Sequence, residues 1–430
     1  MPHIPEEFHE AVNGYVQAVD EFERFKKDSI PLCAAETEIS QLVRSPLGSS
    51  MHERYIMGGV LDLDTEDNFV GAEMIYPLYG LVQKLCATLF GCDYADPRTL
   101  SGMNAGTTLM MSLCPIGAKV LLLVPDSGGH QSFPAIFDRL GFDVVELPYD
   151  YEALDLNYDG INQLLQSDDF DAIYLVPSDL VNPPNLSKIK QPETCHLVYD
   201  ATQTLGLIAG GVVPNPFEEN EKAIVIGATH KTMPGPTCGL IMTKNNQVKE
   251  LIDKTINPVF IRNTQPHQIA SLILCLAEFL VVGEDYSRAI VENGNTLGEA
   301  LERRDFAVMK AHCGYTQTHQ VFVEIPPSEL DAFYETTEAN KITLNKKTKK
   351  LFRGSGVRIG VQDATRWGWM DDEFEMVAEL LHKIRDFNAN KTVVKELIRE
   401  LVSRKELAFT VETDAVRSLL KENRSDDSAV

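Results

Sequence analysis

The chain has 430 residues with 39 Lys+Arg against 63 Asp+Glu, a formal net charge of −24; so long a chain forms more than one domain, and its acidity argues against nucleic acid as a partner. Its eight cysteines, at 33, 86, 92, 114, 195, 238, 275 and 313, form no Cys-x-x-Cys pair, which fits reduced, packed thiols rather than a disulfide framework or zinc site. The opening MPHIPEEFHE lacks the charge and apolar core of a signal peptide, no apolar run approaches the ~20 residues of a membrane span, and the expectation is a soluble, cytoplasmic protein.

In chain order, residues 6–27 carry helical amphipathic spacing and form a helical N-terminal arm over 1–45. A large α/β domain over 46–290 follows. Its short apolar runs KVLLLV (119–124), AIYLV (172–176), HLVY (196–199), AIVI (223–226) and GLIM (239–242) read as strands buried on both faces. Helical spacing at 132–140 and 159–165 alternates with the first three, which argues for a mostly parallel sheet with helices on both faces. The last two runs are too close for a crossover helix and are expected to be antiparallel. A long helix spans 266–301. Strands at 321–325 and 356–360, with a helix at 371–385, belong to a smaller α+β domain over 291–430. Two amphipathic helices over 391–422 and a disordered end complete the chain. The basic run KITLNKKTKKLFR (341–353) reads as a solvated loop.

Chemistry concentrates after the strand ends. Lys231, in Thr229-His230-Lys231-Thr232-Met233-Pro234-Gly235-Pro236, directly follows one buried strand. A partly desolvated lysine there can act as an amine nucleophile towards a carbonyl, although most lysines are simply solvated. Asp200 ends the strand HLVYD and can face a cationic ring nitrogen or cap the next turn. The run from Ser101 to Thr108 opens a helix, and its N–H groups and hydroxyls suit a phosphate or an ordinary helix cap. His130, after Gly128-Gly129, can lie on a flat ring or be structural. Together these are the groups that pyridoxal phosphate requires: an amine, a ring-nitrogen partner, a phosphate cradle and a cover for the ring. Arg358, in Gly-Val-Arg-Ile-Gly, can bind a carboxylate in two parallel hydrogen bonds or form an ion pair. His312 and His319 match no metal-ligand spacing, so no metal is expected.

The stretches SGMNAGTT, GGH, YDATQ, THKTMPGP and SGVRIGVQDATRWG resemble the serine hydroxymethyltransferase branch of fold-type I pyridoxal-phosphate enzymes, from about residue 31 to 385. The resemblance implies an aspartate aminotransferase-like large domain with a mostly parallel mixed sheet and a smaller α+β C-terminal domain. It implies that Lys231 is the Schiff-base lysine, Asp200 the ring-nitrogen partner and His130 the stacking residue. Ser101, Gly102 and Met103 would lie at the phosphate, Thr229 and His230 beside the lysine, and Ser178 and Gln203 near the ring. Arg358, Glu36 and Tyr55 would meet the amino-acid substrate. Tyr55 would reach the neighbouring subunit's site in a homodimer with shared active sites, and His130, His230 and Tyr55 would handle protons.

Departures narrow the expectation. Ala35 stands where the family has a serine, Met57 where it uses a glutamate in folate chemistry, Phe69-Val70 where it has paired tyrosines, and Gln203 where it has a histidine. Residues 261–265 replace the glycine-rich phosphate loop that the partner subunit contributes in the family. The runs GYTQTHQ (314–320) and GVQ (360–362), with the extra C-terminal helices, are similar to threonine transaldolases and related natural-product lyases. The reading is therefore aldol cleavage or transaldol transfer on a β-hydroxy amino acid, with an aldehyde acceptor and without folate. The alternatives are β-elimination on a cysteine conjugate, decarboxylation with deamination, and a catalytically silent assembly protein.

Overall fold

The apolar runs lie side by side in one sheet. The computed structural model describes residues 5–56, 69–386 and 391–412. Strands β1 (Tyr94–Asp96), β2 (Lys119–Leu122), β3 (Asp143–Glu146), β4 (Ala172–Leu175), β5 (His196–Asp200), β6 (Ile224–His230) and β7 (Pro234–Thr243) pair in the order β1-β7-β6-β5-β4-β2-β3. Only β7 runs against its neighbours, so β6 and β7 form the expected antiparallel pair within a mostly parallel mixed sheet. β4 is buried along its whole length because helices cover both faces, which is why it reads as a continuous apolar run.

Two edge strands were not anticipated. β1 has three residues, and β3 is Asp-Val-Val-Glu with exposed ends, too short and too polar to announce themselves. β6 also extends further than expected: Thr229 and His230 belong to the strand, leaving Lys231 in the tight return before β7.

After α1 (Glu6–Asp28), the helices α2 (Tyr76–Phe90), α3 (Gly102–Leu113), α4 (Ser132–Arg139), α5 (Tyr158–Ser167) and α6 (Pro266–Glu302) surround this sheet. None of the residues of α1 is buried against the chain. α6 is long and apolar enough to cross a membrane, contrary to the reading of the bare sequence, yet most of that stretch is buried inside the fold against α2 and β7. Burial in a large core explains its composition.

A second, antiparallel sheet is built from β8 (Ala307–Val308), β9 (Gln320–Glu324), β10 (Asn345–Lys347) and β11 (Gly356–Gly360) in the order β8-β9-β11-β10. α7 (Asp371–Arg385) packs beside α6, and α8 (Lys391–Ser403) packs on α7. Residues 404–412 are not helical, and the remainder of the second C-terminal helix expected there lies outside the described residues, as does Met57.

A strand at Ile30–Pro31 pairs in parallel with Ile342–Thr343. It leads residues 32–37 between the two sheets. Gly360 N–H donates to the Leu32 carbonyl at 2.9 Å, Gln362 Nε2 donates to the Cys33 and Glu36 carbonyls at 2.7 Å, and the Thr37 hydroxyl donates to the Lys231 carbonyl. The smaller sheet is thereby tied to the Lys231 turn.

Candidate active site

The carboxyl ends of β2, β4, β5 and β6 open on one edge, where an α/β sheet presents its ligand-binding groups. The loop after β2 is drawn tightly against the loop after β4. His130 N–H donates to the Val176 carbonyl at 2.8 Å, while the Ser178 and Asp179 N–H groups donate to the Gly128 carbonyl at 2.8 and 3.0 Å. Gly128 permits this approach, since a Cβ there would lie 2.4 Å from the Asp179 carbonyl oxygen, and Gly129 lets the loop fold back on its own strand, since a Cβ there would lie 1.8 Å from the Leu123 carbonyl oxygen.

Asp200 closes β5 and is buried. Its Oδ1 accepts from Thr202 N–H at 2.9 Å, so it both shapes the turn and presents a carboxylate. Burial pushes its pKa up, opposed by Thr202, Lys231 and His130. One return further, Lys231 has its pKa pushed down to about 8 by burial, with Arg358 acting in the same sense and Asp200 and Asp179 opposing. His130 also has a lowered pKa, through burial and Lys231 against the pull of Asp200. Amine, carboxylate and imidazole therefore share one electrostatic neighbourhood.

The start of α3 faces the same edge. Ser101 Oγ accepts from Asn104 N–H at 3.1 Å as the helix cap. The Gly102 and Met103 N–H groups have no hydrogen-bond partner among the described residues. A Cβ on Gly102 would sit 3.1 Å from that of Ala228, so glycine lets the helix start seat against β6. The Met103 side chain turns towards the core and supplies no hydroxyl. Thr229 Oγ1 is spent on the Pro236 carbonyl at 2.7 Å and steadies the hairpin. His230 has a buried Nδ1 without a partner among the described residues, and burial lowers its pKa to about 4.

Several positions are occupied differently from the simplest expectation. Gln203 Oε1 accepts from Gln320 Nε2 at 3.0 Å, and Gln320 also donates to the Ser178 carbonyl at 3.1 Å. His319, which is fully buried, has its Nε2 3.1 Å from the Ala34 carbonyl oxygen, and burial pushes its pKa down to about 3. Arg358 is engaged on both edges: Nη1 donates to Asp179 Oδ1 and the Ser178 carbonyl, each at 2.8 Å, while Nε and Nη2 donate to Asn345 Oδ1 at 3.1 and 2.6 Å. A carboxylate arriving in two parallel bonds must displace one of these partners.

The basic run at 341–353 is not simply a solvated loop. Lys347 and Lys349 turn inward, only 15% exposed, onto Asp179 at 2.8 and 2.5 Å. Sequence reasoning missed Asp179, Asn345, Lys347 and Lys349. The available signal was period two: β11 pairs Arg358 with Asn345, and two-residue steps carry the same face through Lys347 towards Lys349.

Tyr55 is not brought to this cluster by its own chain. It is 40% exposed, with its ring 4.6 Å from that of Phe69. Glu36 is exposed and lines a separate cavity of about 240 Å³ with Thr37, Asp363 and Lys405. His312 sits 2.9 Å from Asp155 Oδ2, and no metal-binding group of three exists among the described residues.

The donor set suits pyridoxal phosphate: free N–H groups at a twelve-residue helix start and the orphaned His230 nitrogen for phosphate, Asp200 for a ring nitrogen, and the Lys231 amine for an aldehyde.

Comparisons with known proteins agree. Residues 10–381 match the family model for serine hydroxymethyltransferase. The serine hydroxymethyltransferase of Methanopyrus kandleri is 31% identical over 407 residues, covering 91% of this chain and 94% of that protein. The Pyrococcus horikoshii enzyme of the same name is 31% identical over 384 residues, covering 85% and 88%. The crystal structure of L-threonine transaldolase from Pseudomonas fluorescens, in its internal aldimine state, superposes with a TM-score of 0.89 at 25% identity, covering 97% of this chain and 98% of that one. The chain belongs to the serine hydroxymethyltransferase family of fold-type I enzymes, and its cofactor is pyridoxal phosphate.

Proposed function

We propose that the protein breaks the Cα–Cβ bond of a β-hydroxy amino acid of the threonine or serine type and passes the amino-acid fragment to a proton or to a second aldehyde, without folate. The observation that carries this reading is the desolvated Lys231 amine in one electrostatic neighbourhood with Asp200, His130 and Arg358. The likeness to a threonine transaldolase supports it, as does the replacement of the family's folate-handling residues by Met57 and Phe69-Val70.

Bound at this edge, pyridoxal phosphate supplies an electron sink for negative charge at Cα. Lys231 would hold it through its amine, Asp200 would keep the ring nitrogen protonated, and the Gly102 and Met103 N–H groups with His230 would take the phosphate. Arg358 fixes the α-carboxylate and so sets which Cα bond is aligned to break. His130 is neutral at pH 7, because its pKa is lowered, and can accept the β-hydroxyl proton. The Cα–Cβ electron pair stays on Cα as the aldehyde leaves. That pair then takes a proton or attacks the carbonyl carbon of the acceptor, whose oxygen receives the proton from His130. Exposed Tyr55 and the unburied apolar residues of α1 support a homodimer in which Tyr55 serves the partner's site.

Incubating cofactor-loaded protein with L-threonine, L-allo-threonine and L-serine, with and without added aldehydes, tests the reading. Aldehyde release is expected. No aldehyde from any of them sinks it, and pyruvate with ammonia, or carbon dioxide, points instead to elimination or decarboxylation.

A further inference from the structure

Three cations converge on one buried carboxylate beside the site. Arg358 Nη1 and Lys347 Nζ each lie 2.8 Å from Asp179 Oδ1, and Lys349 Nζ lies 2.5 Å from Oδ2. The Asp179 side chain is fully buried, that of Arg358 is 6% exposed, and those of the lysines are 15% exposed. Three positive charges against one negative leave an excess of two in a largely water-excluded place, where an unbalanced charge is costly. A stabilising ion pair needs one cation, and this one has three.

The cluster belongs to the working edge. Asp179 follows β4 in the loop that carries Ser178, and its backbone is hydrogen-bonded to the loop that carries His130. The charges of both Asp179 and Lys349 are felt at His130, and that of Asp179 at Lys231. Asn345 faces Arg358 across the β10–β11 pairing, and Lys347 stands two residues on, on the same sheet face. If the α-carboxylate of an amino acid takes Arg358, one uncompensated positive charge remains, carried by Lys347 and Lys349.

We propose that Lys347 and Lys349 form a subsite for a second anionic group, a carboxylate, phosphonate, sulfonate or phosphate, on the amino-acid donor or on the aldehyde acceptor. The proposal rests on the reading of Arg358 as the α-carboxylate clamp. Asp179 holds the two ammonium groups close together against their mutual repulsion until that anion arrives.

The test uses full-length, cofactor-loaded protein. For the donor, isothermal titration compares L-aspartate with L-asparagine and O-phospho-L-serine with L-serine. For the acceptor, kcat/KM in the transfer assay compares succinic semialdehyde with butanal. The expected result is at least a fivefold preference for the anionic member in one arm, cut at least threefold in K347Q/K349Q and retained in K347R/K349R. A wild-type preference below fivefold in both arms overturns the proposal, as does a preference that K347Q/K349Q cuts less than threefold. The wild-type comparison stands even if the variants fail to fold. Titration needs no turnover, so a protein that prefers the anionic probes but releases no aldehyde refutes the aldol reading alone.

Discussion

The Lys231 amine offers the sharpest test of the site. Burial lowers its pKa from 10.5 to about 8. At pH 7 an amine with that pKa is about 10% neutral, against about 0.03% for an ordinary lysine, a gain of roughly 300-fold in the form able to attack an aldehyde. Apo-protein mixed with pyridoxal phosphate should therefore capture it at a rate that climbs with pH and flattens above about pH 8. Borohydride reduction followed by peptide mapping assigns the capture to Lys231. Asp200 opposes the shift, because its negative charge favours the ammonium form. Removing that charge in D200N should move the bend below pH 8, whatever happens to overall affinity. A rate still rising through pH 10, or a bend that moves upward in D200N, would refute the assignment of Lys231 as a desolvated nucleophile beside Asp200.

Three further outcomes follow from packing and linkage. G129A places a Cβ 1.8 Å from the Leu123 carbonyl oxygen; relieving that clash means moving backbone, so a loss of about 3 kcal/mol or more in urea unfolding is expected, with weakened cofactor binding through His130. Arg366 and Glu278 form a fully buried pair at 2.7 Å. E278A strands the guanidinium and should cost about 3–5 kcal/mol by denaturant titration, more than E278Q. Asp363 has its pKa raised to about 7, chiefly by burial and then by the charges of Glu38 and Glu36. Because the folded state binds this proton more tightly than the unfolded chain, stability should fall as pH rises from about 4 to 7. D363N, which keeps an acceptor for the Glu38 N–H now held at 2.8 Å, should flatten that slope and stabilise the protein at pH 8 by about 2 kcal/mol. An unchanged slope in urea midpoints between pH 5 and 8 would count against it.

What could be read beforehand followed from local pattern. Buried parallel strands such as Ala172–Leu175 and His196–Asp200 are continuous apolar runs, and a lysine or aspartate at their carboxyl ends is visible as such. Edge strands were lost because Asp143–Glu146 has polar ends and Tyr94–Asp96 is too short for any period. The cation cluster was lost for a different reason. A run of lysines reads as solvated unless its counter-charge is known, and Asp179 lies far away in sequence on another sheet's loop. The same holds for Gln203, whose partner Gln320 comes from β9. Long-range pairings between loops of different sheets leave no periodic trace, so the site's framework was legible and its wiring was not.

The pairing of Ile30–Pro31 with Ile342–Thr343 bears on how the protein is made. As the chain leaves the ribosome, the Lys231 hairpin and its parallel sheet emerge well before residue 342. The early segment that laces Thr37 to the Lys231 carbonyl must wait for its late partner strand. Contacts of such sequence separation form slowly and leave partly closed intermediates with exposed apolar surface. Truncations anywhere before residue 342 should thus yield a sheet with an unfinished catalytic edge, and chaperone dependence during synthesis is the expected signature of this one two-residue strand.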